Sequence, residues 1–263
     1  MATDVRQQFR SLHTNGCFVM PNPWDIGSAK LLASLGFPAL ATTSSGQAAS
    51  LGRHDQHITR EELVAHVAAL AGAVDVPINA DSERLFSDSL SGIAETVALL
   101  ADAGASGCSI EDYDPAAKAI DPIGLAVERV WAAAEAARCH GIVLTARAEA
   151  HLYGAPELDE TIARLSAFVA AGAEVVYAPG IADIGQISEL VKAVDAPVNV
   201  LALPNGPSVD ELAAVGVRRV STGAALAFAA YGALVRGATE LLEAGTSEYS
   251  RDALSPGNRR AFD

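Results

Sequence analysis

The chain has 263 residues, of which 50% are hydrophobic and only 5% aromatic, so its core must be assembled mostly from Ala, Val, Leu and Ile. Its 32 Asp and Glu against 18 Lys and Arg give a formal charge of −14, which repels nucleic-acid phosphates and anionic membrane surfaces and argues against both as partners. Three cysteines (Cys17, Cys108, Cys139) without a C-x-x-C, a polar N-terminus carrying Asp4, and the lack of a run of about 18 apolar residues argue against a disulfide scaffold, a cysteine zinc site, a signal peptide and a membrane span, and point to the cytoplasm.

In chain order, short apolar or β-branched runs alternate with longer helical patterns. Strands are predicted at 17–20, 39–43, 76–80, 107–110, 142–146, 174–178, 198–202 and 219–222. Each run is continuous, the pattern of a strand covered on both faces. Apolar spacings of three and four predict helices at 61–71, 91–103, 126–137, 158–171, 184–194 and 209–215, and 224–244 continues as one long Ala/Leu-rich helix. Strict alternation of strand and helix implies parallel strands joined by helical crossovers. Gly36, Gly104, Gly172 and Gly216 each stand at a helix end before an even-numbered strand, where glycine allows the left-handed cap. The third, fifth and seventh strands are entered instead through AVDVPIN, RCHGIVL and AVDAPVN, so a (βα)₂ unit is used four times.

Eight βα units in about 225 residues predict a closed (β/α)₈ TIM-type barrel, for which ~250 residues is typical. An open doubly wound sheet is disfavoured because no G-x-G-x-x-G or P-loop follows the first strand. Residues 1–245 read as one barrel domain and 246–263 as a polar, irregular tail.

Barrel enzymes carry their chemistry at the C-terminal strand ends. Around that ring stand Trp24 and Asp25; the T-T-S-S-G turn with Thr43, Ser44, Ser45 and Gly46, and Asp55 further on; Asn79, Asp81 and Glu83; Glu111 and Asp112; Arg147 and Glu149; Pro179 and Gly180; Asn199 and Asn205; and Ser221 and Thr222. The ring is mostly acidic with one Arg. Converging carboxylates repel unless a cation sits among them, and an all-oxygen donor set suits Mg²⁺ or Mn²⁺ better than zinc. Arg147 adds a planar fork for a carboxylate, and the T-T-S-S-G turn offers N–H groups and hydroxyls to further anionic oxygens. Together they describe a pocket for a small 2-oxo or 2-hydroxy carboxylate that chelates a divalent metal. Only three lysines occur (Lys30, Lys118, Lys192), none on a predicted strand, which argues against a Schiff base. His54 and His57 read as exposed polar residues and Cys108 as core. The turns LPNGPS and STGAA leave a phosphate-binding barrel as another reading.

The segments PNPWDIGSAKLLASLGFPAL, TTSSG, the L-G-x-x-D ending at Asp55, PINAD, GCSIED, LTARAEA, VYAPG and PVNVLA follow one another in the order of the strand motifs of a known family. Over nearly its whole length the chain resembles the isocitrate lyase / phosphoenolpyruvate phosphonomutase superfamily. The resemblance implies a Mg²⁺-dependent barrel that makes or breaks a C–C or P–C bond in a 2-oxo or 2-hydroxy acid through a pyruvate-like enolate. It casts Asp55, Glu111 and Arg147 as catalytic residues. Asn79, Asp81 and Glu111 become the metal set, and Thr43, Ser44, Ser45, Gly46, Arg147 and Asn199 the substrate-binding set. Two departures narrow the activity. The family writes D-x-D where this chain has Asn79-Ala80-Asp81. The segment 113–122 lacks both the lyase K-[KR]-C-G-H and the mutase K-T-N, which argues against isocitrate cleavage and weakens a mutase-type isomerase. The expectation is therefore a lyase or oxaloacetate-decarboxylase type of enzyme, with a non-catalytic 2-oxo-acid sensor as the alternative. The family also exchanges its last helix between subunits, so 224–244 suits a homodimer or tetramer as well as it suits an ordinary eighth barrel helix.

Overall fold

The computed structural model describes residues 2–154 and 156–263. In chain order its strands are β1 (Phe18–Met20), β2 (Leu40–Ala41), β3 (Ile78–Ala80), β4 (Gly107–Glu111), β5 (Tyr113–Asp114), β6 (Ala119–Ile120), β7 (Val143–Arg147), β8 (Val175–Tyr177), β9 (Val198–Leu201) and β10 (Arg219–Ser221). All but β5 and β6 belong to one parallel sheet ordered β1-β10-β9-β8-β7-β4-β3-β2. Between its two end strands the Ala41 N–H donates to Pro21 O at 3.1 Å, which brings the sheet close to closure. The fold is the expected (β/α)₈ TIM-type barrel.

The helices are α1 (Ala2–Leu12), α2 (Ile26–Ser34), α3 (Ser44–Ser50), α4 (Arg60–Ala71), α5 (Leu90–Asp102), α6 (Ile123–His140), α7 (Ala150–Tyr153), α8 (Leu158–Ala170), α9 (Ile184–Ala193), α10 (Val209–Ala214), α11 (Ala225–Glu243) and α12 (Pro256–Arg259). Their starts are written locally: Asp25, Thr43, Thr59, Ser89, Asp183 and Ser208 each accept a first-turn N–H through the side chain, which satisfies a donor the helix leaves open. The four repeat glycines take positive φ as expected, with Gly104 at 99° and Gly172 at 106°.

Two main apolar bodies hold the barrel, with a third, minor cluster of Ala29, Leu40, Leu70 and Ile78 joining α2 and α4 to β2 and β3. The larger lies between the strands and the outer helices and includes Leu63, Val97, Ile110, Leu144, Phe168 and Val176. The smaller fills the barrel's N-terminal end, where Phe9 of α1 packs on Phe18, Met20, Ala39, Val143 and Val175. Helix α1 is thus a plug for the barrel floor, a role the polar N-terminal sequence did not announce. Gly107 lies beside it, and a Cβ there would stand 2.7 Å from Phe9 Cε1, 2.6 Å from Asn79 Oδ1 and 2.9 Å from Val143 O.

Three expectations need correction, and the unassigned segment 113–122 gains a structure. The T-T-S-S-G segment is the first turn of α3, because Thr43 caps it through Oγ1. Segment 113–122 forms the antiparallel hairpin β5–β6, with Tyr113 opposite Ile120. The tail is ordered into a 3₁₀ turn (Glu248–Asp252), α12 and a second 3₁₀ turn (Arg260–Phe262); it is tied to α2 where Lys30 Nζ donates to Phe262 O at 3.2 Å. Helix α11 is long enough and, at a mean hydropathy of 1.2, apolar enough to cross a membrane by composition alone, although Arg236 and Glu240 interrupt it.

The packing around Gly107 predicts that Gly107→Ala lowers stability by about 1–3 kcal/mol through overpacking. Gly124→Ala, at an α6 position where a Cβ meets nothing within 4 Å, should be neutral or stabilising by about 0.5–1 kcal/mol. Urea unfolding of the two variants checks the contrast.

Candidate functional site

The C-terminal mouth of the barrel is organised by one cation. Arg147, the last residue of β7, reaches Asp81 Oδ1 at 2.6 Å and Glu111 Oε2 at 3.5 Å through Nη1, and donates from Nε to Glu149 Oε1 at 2.8 Å. Its guanidinium also lies 5.4 Å from the ring centre of Tyr177 at the end of β8, within cation–π range. Neighbouring parallel strands place these groups: Glu111, Arg147 and Tyr177 stand in one line of register across β4, β7 and β8.

Each carboxylate is held from behind. Asp81 Oδ2 accepts the Ser44 N–H at 2.9 Å, and the Asp81 N–H donates to Thr42 Oγ1 at 2.8 Å. Glu111 Oε1 accepts from Gln56 Nε2 at 2.8 Å. Asp112 accepts the Glu149 N–H at 2.8 Å on Oδ1 and faces Arg164 Nη1 at 3.1 Å on Oδ2. Beyond them the β5–β6 hairpin is pinned: the Asp121 N–H donates to Asp112 O at 2.7 Å, and Arg84 pairs with Asp121 at 3.0 Å. Tyr113 on the hairpin stacks on Tyr153 of α7, with ring centres 3.8 Å apart and planes at 6°. This makes a fixed aromatic wall beside the mouth.

Of the residues the sequence singles out, Asp81, Glu111 and Arg147 are brought together. Asp55 sits on the exposed rim, and its neighbour Gln56, in a left-handed conformation with φ 64°, reaches Glu111 in its place. Asn79 is buried with Oδ1 unpartnered. Among the described residues no three carboxylate, imidazole or thiolate groups converge as a metal cluster, because the acids are drawn onto Arg147. In the α3 turn, Ser44 spends its N–H on Asp81 and Gly46 its N–H on Thr43 Oγ1. Gly46 is required for packing: a Cβ would meet Thr43 Cγ2 at 2.5 Å and Trp24 Cβ at 3.1 Å. Asn199 lies deeper, where its amide accepts from Arg219 Nε and donates to Ser221 Oγ, both at 2.9 Å. His54 and His57 are exposed, and Cys108 is buried in the core. Sequence reasoning passed over Gln56, Tyr153, Arg164 and Arg219, whose roles depend on which loop or strand stands opposite.

The sequence profile described as phosphoenolpyruvate phosphomutase matches residues 9–242. A candidate lyase/mutase of Burkholderia cenocepacia has the same fold, with a TM-score of 0.95, 47% identity and coverage of 99% of this chain and 97% of its own. An uncharacterised protein of Mycobacterium tuberculosis is 38% identical over 218 residues, 82% of this chain and 81% of that one. The oxaloacetate decarboxylase of a Marinomonas species is 30% identical over 240 residues, 86% of this chain and 82% of that one.

The charges at the mouth do not balance. Burial alone would lower the pKa of Arg147, but Glu149, Asp81 and Glu111 together hold it well above its ordinary value. Burial raises Glu111 far above the ordinary carboxylate range against the pull of Arg147, with Glu149 and Asp81 adding repulsion. Glu83, buried with Oε1 unpartnered, is pushed up to about 8 by burial and then by Asp81 and Asp55. Between its ordinary 4.5 and about 8 the folded state therefore keeps a proton that the unfolded chain has lost. That contribution to stability is complete below the lower value and declines as pH rises through the window. Scanning calorimetry across the window should show a smaller fall in unfolding temperature for Glu83→Gln than for the parent chain; equal slopes would contradict the assignment.

Proposed function

The chain belongs to the phosphoenolpyruvate phosphomutase family, and from that footing we propose that it is a divalent-metal-dependent lyase that breaks a C–C bond in a small 2-oxo or 2-hydroxy carboxylate, of the oxaloacetate-decarboxylase type. The observation that carries this reading is the mouth itself, where Asp81, Glu111 and Glu149 share the single guanidinium of Arg147. The family's members include C–C lyases and mutases, and the Marinomonas relative is an oxaloacetate decarboxylase.

The residues fit a hard cation. The donors are all oxygen, burial and then the neighbouring Glu149 and Asp81 raise the Glu111 carboxyl, and Asn79 Oδ1 is buried without a partner. Asp81 and Glu111 would hold Mg²⁺ or Mn²⁺, with Asn79 as a neutral donor and the rim residue Asp55 as a further carboxylate for the bound waters. When bound, the cation supplies the Lewis acidity that stabilises an enolate as the bond breaks.

The chain's own groups do the positioning. Arg147 would present its fork to substrate oxygens, and Tyr177, its ring centre 5.4 Å from the guanidinium, would help hold it at the mouth. In the α3 turn the Ser44 and Gly46 N–H groups and Thr43 Oγ1 are already engaged, so the hydroxyls of Ser44 and Ser45 would be what Thr43–Gly46 offers to the substrate carboxylate. Gln56 keeps Glu111 aimed inward, and the Tyr113–Tyr153 stack screens the mouth from water. The free substrate is a small acid of the cytoplasm.

One observation favours the sensor reading: Asn79 brings no charge to a site whose family motif has Asp there. Oxaloacetate turnover with Mg²⁺ separates the two. The lyase reading expects turnover that Glu111→Gln abolishes, together with loss of Mn²⁺ binding seen by electron paramagnetic resonance. Oxalate binding without turnover would support the sensor.

Helix α11 carries Leu234, Val235, Leu241 and Leu242 exposed at 66%, 63%, 52% and 87%, an apolar stripe that water does not favour. We propose that a second copy of the chain covers it, in the exchange the family resemblance implies. Light scattering should report a dimer or tetramer, and Leu234→Asp with Leu242→Asp should shift it toward a monomer; a monomeric parent would contradict the assembly.

A further inference from the structure

Below the carboxylate mouth, at mid-barrel, lies a second cation that the proposed chemistry does not use. Arg219 points inward from the start of β10 and is 2% exposed. It donates from Nε to Asn199 Oδ1 and from Nη2 to Thr145 Oγ1, both at 2.9 Å, and its Nη1 faces His13 Nε2 at 3.3 Å. His13 Nδ1 lies 2.9 Å from Phe9 O; a carbonyl only accepts, so Nδ1 carries the proton and Nε2 accepts from Arg219. Burial, and then the charge of Arg219, push His13 down to about 3, so it is neutral.

Every partner of Arg219 is therefore neutral, and among the described residues it forms no ion pair, whereas Arg84, Arg147 and Arg164 each face a carboxylate. A buried guanidinium without a counter-charge carries a desolvation cost of several kcal/mol. Three of its five N–H donors are used. The guanidinium lines the floor of the cavity of about 70 Å³ that opens at the mouth, whose wall also carries Asn199, Tyr177, Ser221, Arg147 and, toward the mouth, the Asp81 carboxylate that Arg147 already pairs. About 10–15 Å³ of such space already admits one water, so the cavity has room for a small oxyanion together with waters.

We propose that this cavity is an anion site in which Arg219 binds one carboxylate-sized oxyanion. Asn199 and Thr145 hold the guanidinium in place, and Ser221 supplies a hydroxyl on the cavity wall. Burial, reinforced by the charge of Arg147, brings Arg219 down to about 9, and a bound anion would restore it. The anion is either a carboxylate of the substrate, reaching down from the mouth, or a free formate- or bicarbonate-sized ion. The site shares its cavity with the proposed lyase centre, but binding of a free oxyanion to Arg219 needs neither metal nor turnover and is tested without them.

The test uses formate on the full chain, with EDTA present and ionic strength held by a bulky organic sulfonate too large for the cavity. The unfolding midpoint should rise with the logarithm of formate concentration. Arg219→Met should abolish the rise. Should that variant fail to fold, Asn199→Asp places an internal counter-charge 2.9 Å from Nε, and Ser221 can turn its hydroxyl to donate. Asn199→Asp should unfold at a higher temperature without formate and show no rise with it. A parent chain indifferent to formate, or an Asn199→Asp chain with an undiminished response, would overturn the proposal. In the active enzyme, competitive inhibition by formate assigns the site to the substrate's own carboxylate, and non-competitive inhibition to a free ion.

Discussion

The structure turns on a charge imbalance around Arg147. One guanidinium at the end of β7 meets Asp81, Glu111 and Glu149 within a mouth that excludes much of the solvent. In water such a cluster would disperse; here the strand register holds the groups in place, and only protonation or a further cation relieves the repulsion. Burial, and then the repulsion of the neighbouring acids, leads Glu111 and Glu149 to keep protons above the ordinary carboxylate range. A divalent ion would take over the work those protons do, and this links the shape of the site to a metal-dependent lyase.

The frame needed to maintain that imbalance is distributed through the fold. The floor is closed by Phe9 and its apolar neighbours, while the middle of the barrel departs from an apolar interior and carries Arg219, Asn199, Thr145 and Ser221 in one hydrogen-bonded group. His13 joins this group to the plug helix. The outer wall of the mouth is stiffened by ion pairs, Arg84 with Asp121 and Arg164 with Asp112. The hairpin that results is short and braced, and residues 113–122 carry neither Cys nor His.

Much of this was legible in the sequence because it rests on local rules. Continuous apolar runs marked the eight barrel strands, apolar spacings of three and four marked the helices, and Gly36, Gly104, Gly172 and Gly216 marked the joints. Asp81, Glu111 and Arg147 could be grouped because parallel strands bring their ends together. What stayed hidden depends on contacts across the fold. A polar N-terminus gave no sign that Phe9 would plug the barrel floor. Thr43 and Gly46 looked like a ligand turn, although one caps α3 and the other makes room for Trp24. Arg219 sits in a run of two arginines, Arg218 and Arg219, and only the pleat decides that the second faces inward. Gln56 reaches Glu111 through a left-handed backbone that no glycine signals.

The central claim is that the mouth holds protons at neutral pH that a divalent cation displaces. Calorimetric titration of the protein with Mg²⁺ in buffers of different ionisation enthalpy measures this directly, as protons released per ion bound. The account predicts stoichiometric binding with release of about one proton or more, following from the raised carboxyls of Glu83 and Glu111. Binding without proton release, or no binding at all, would contradict it.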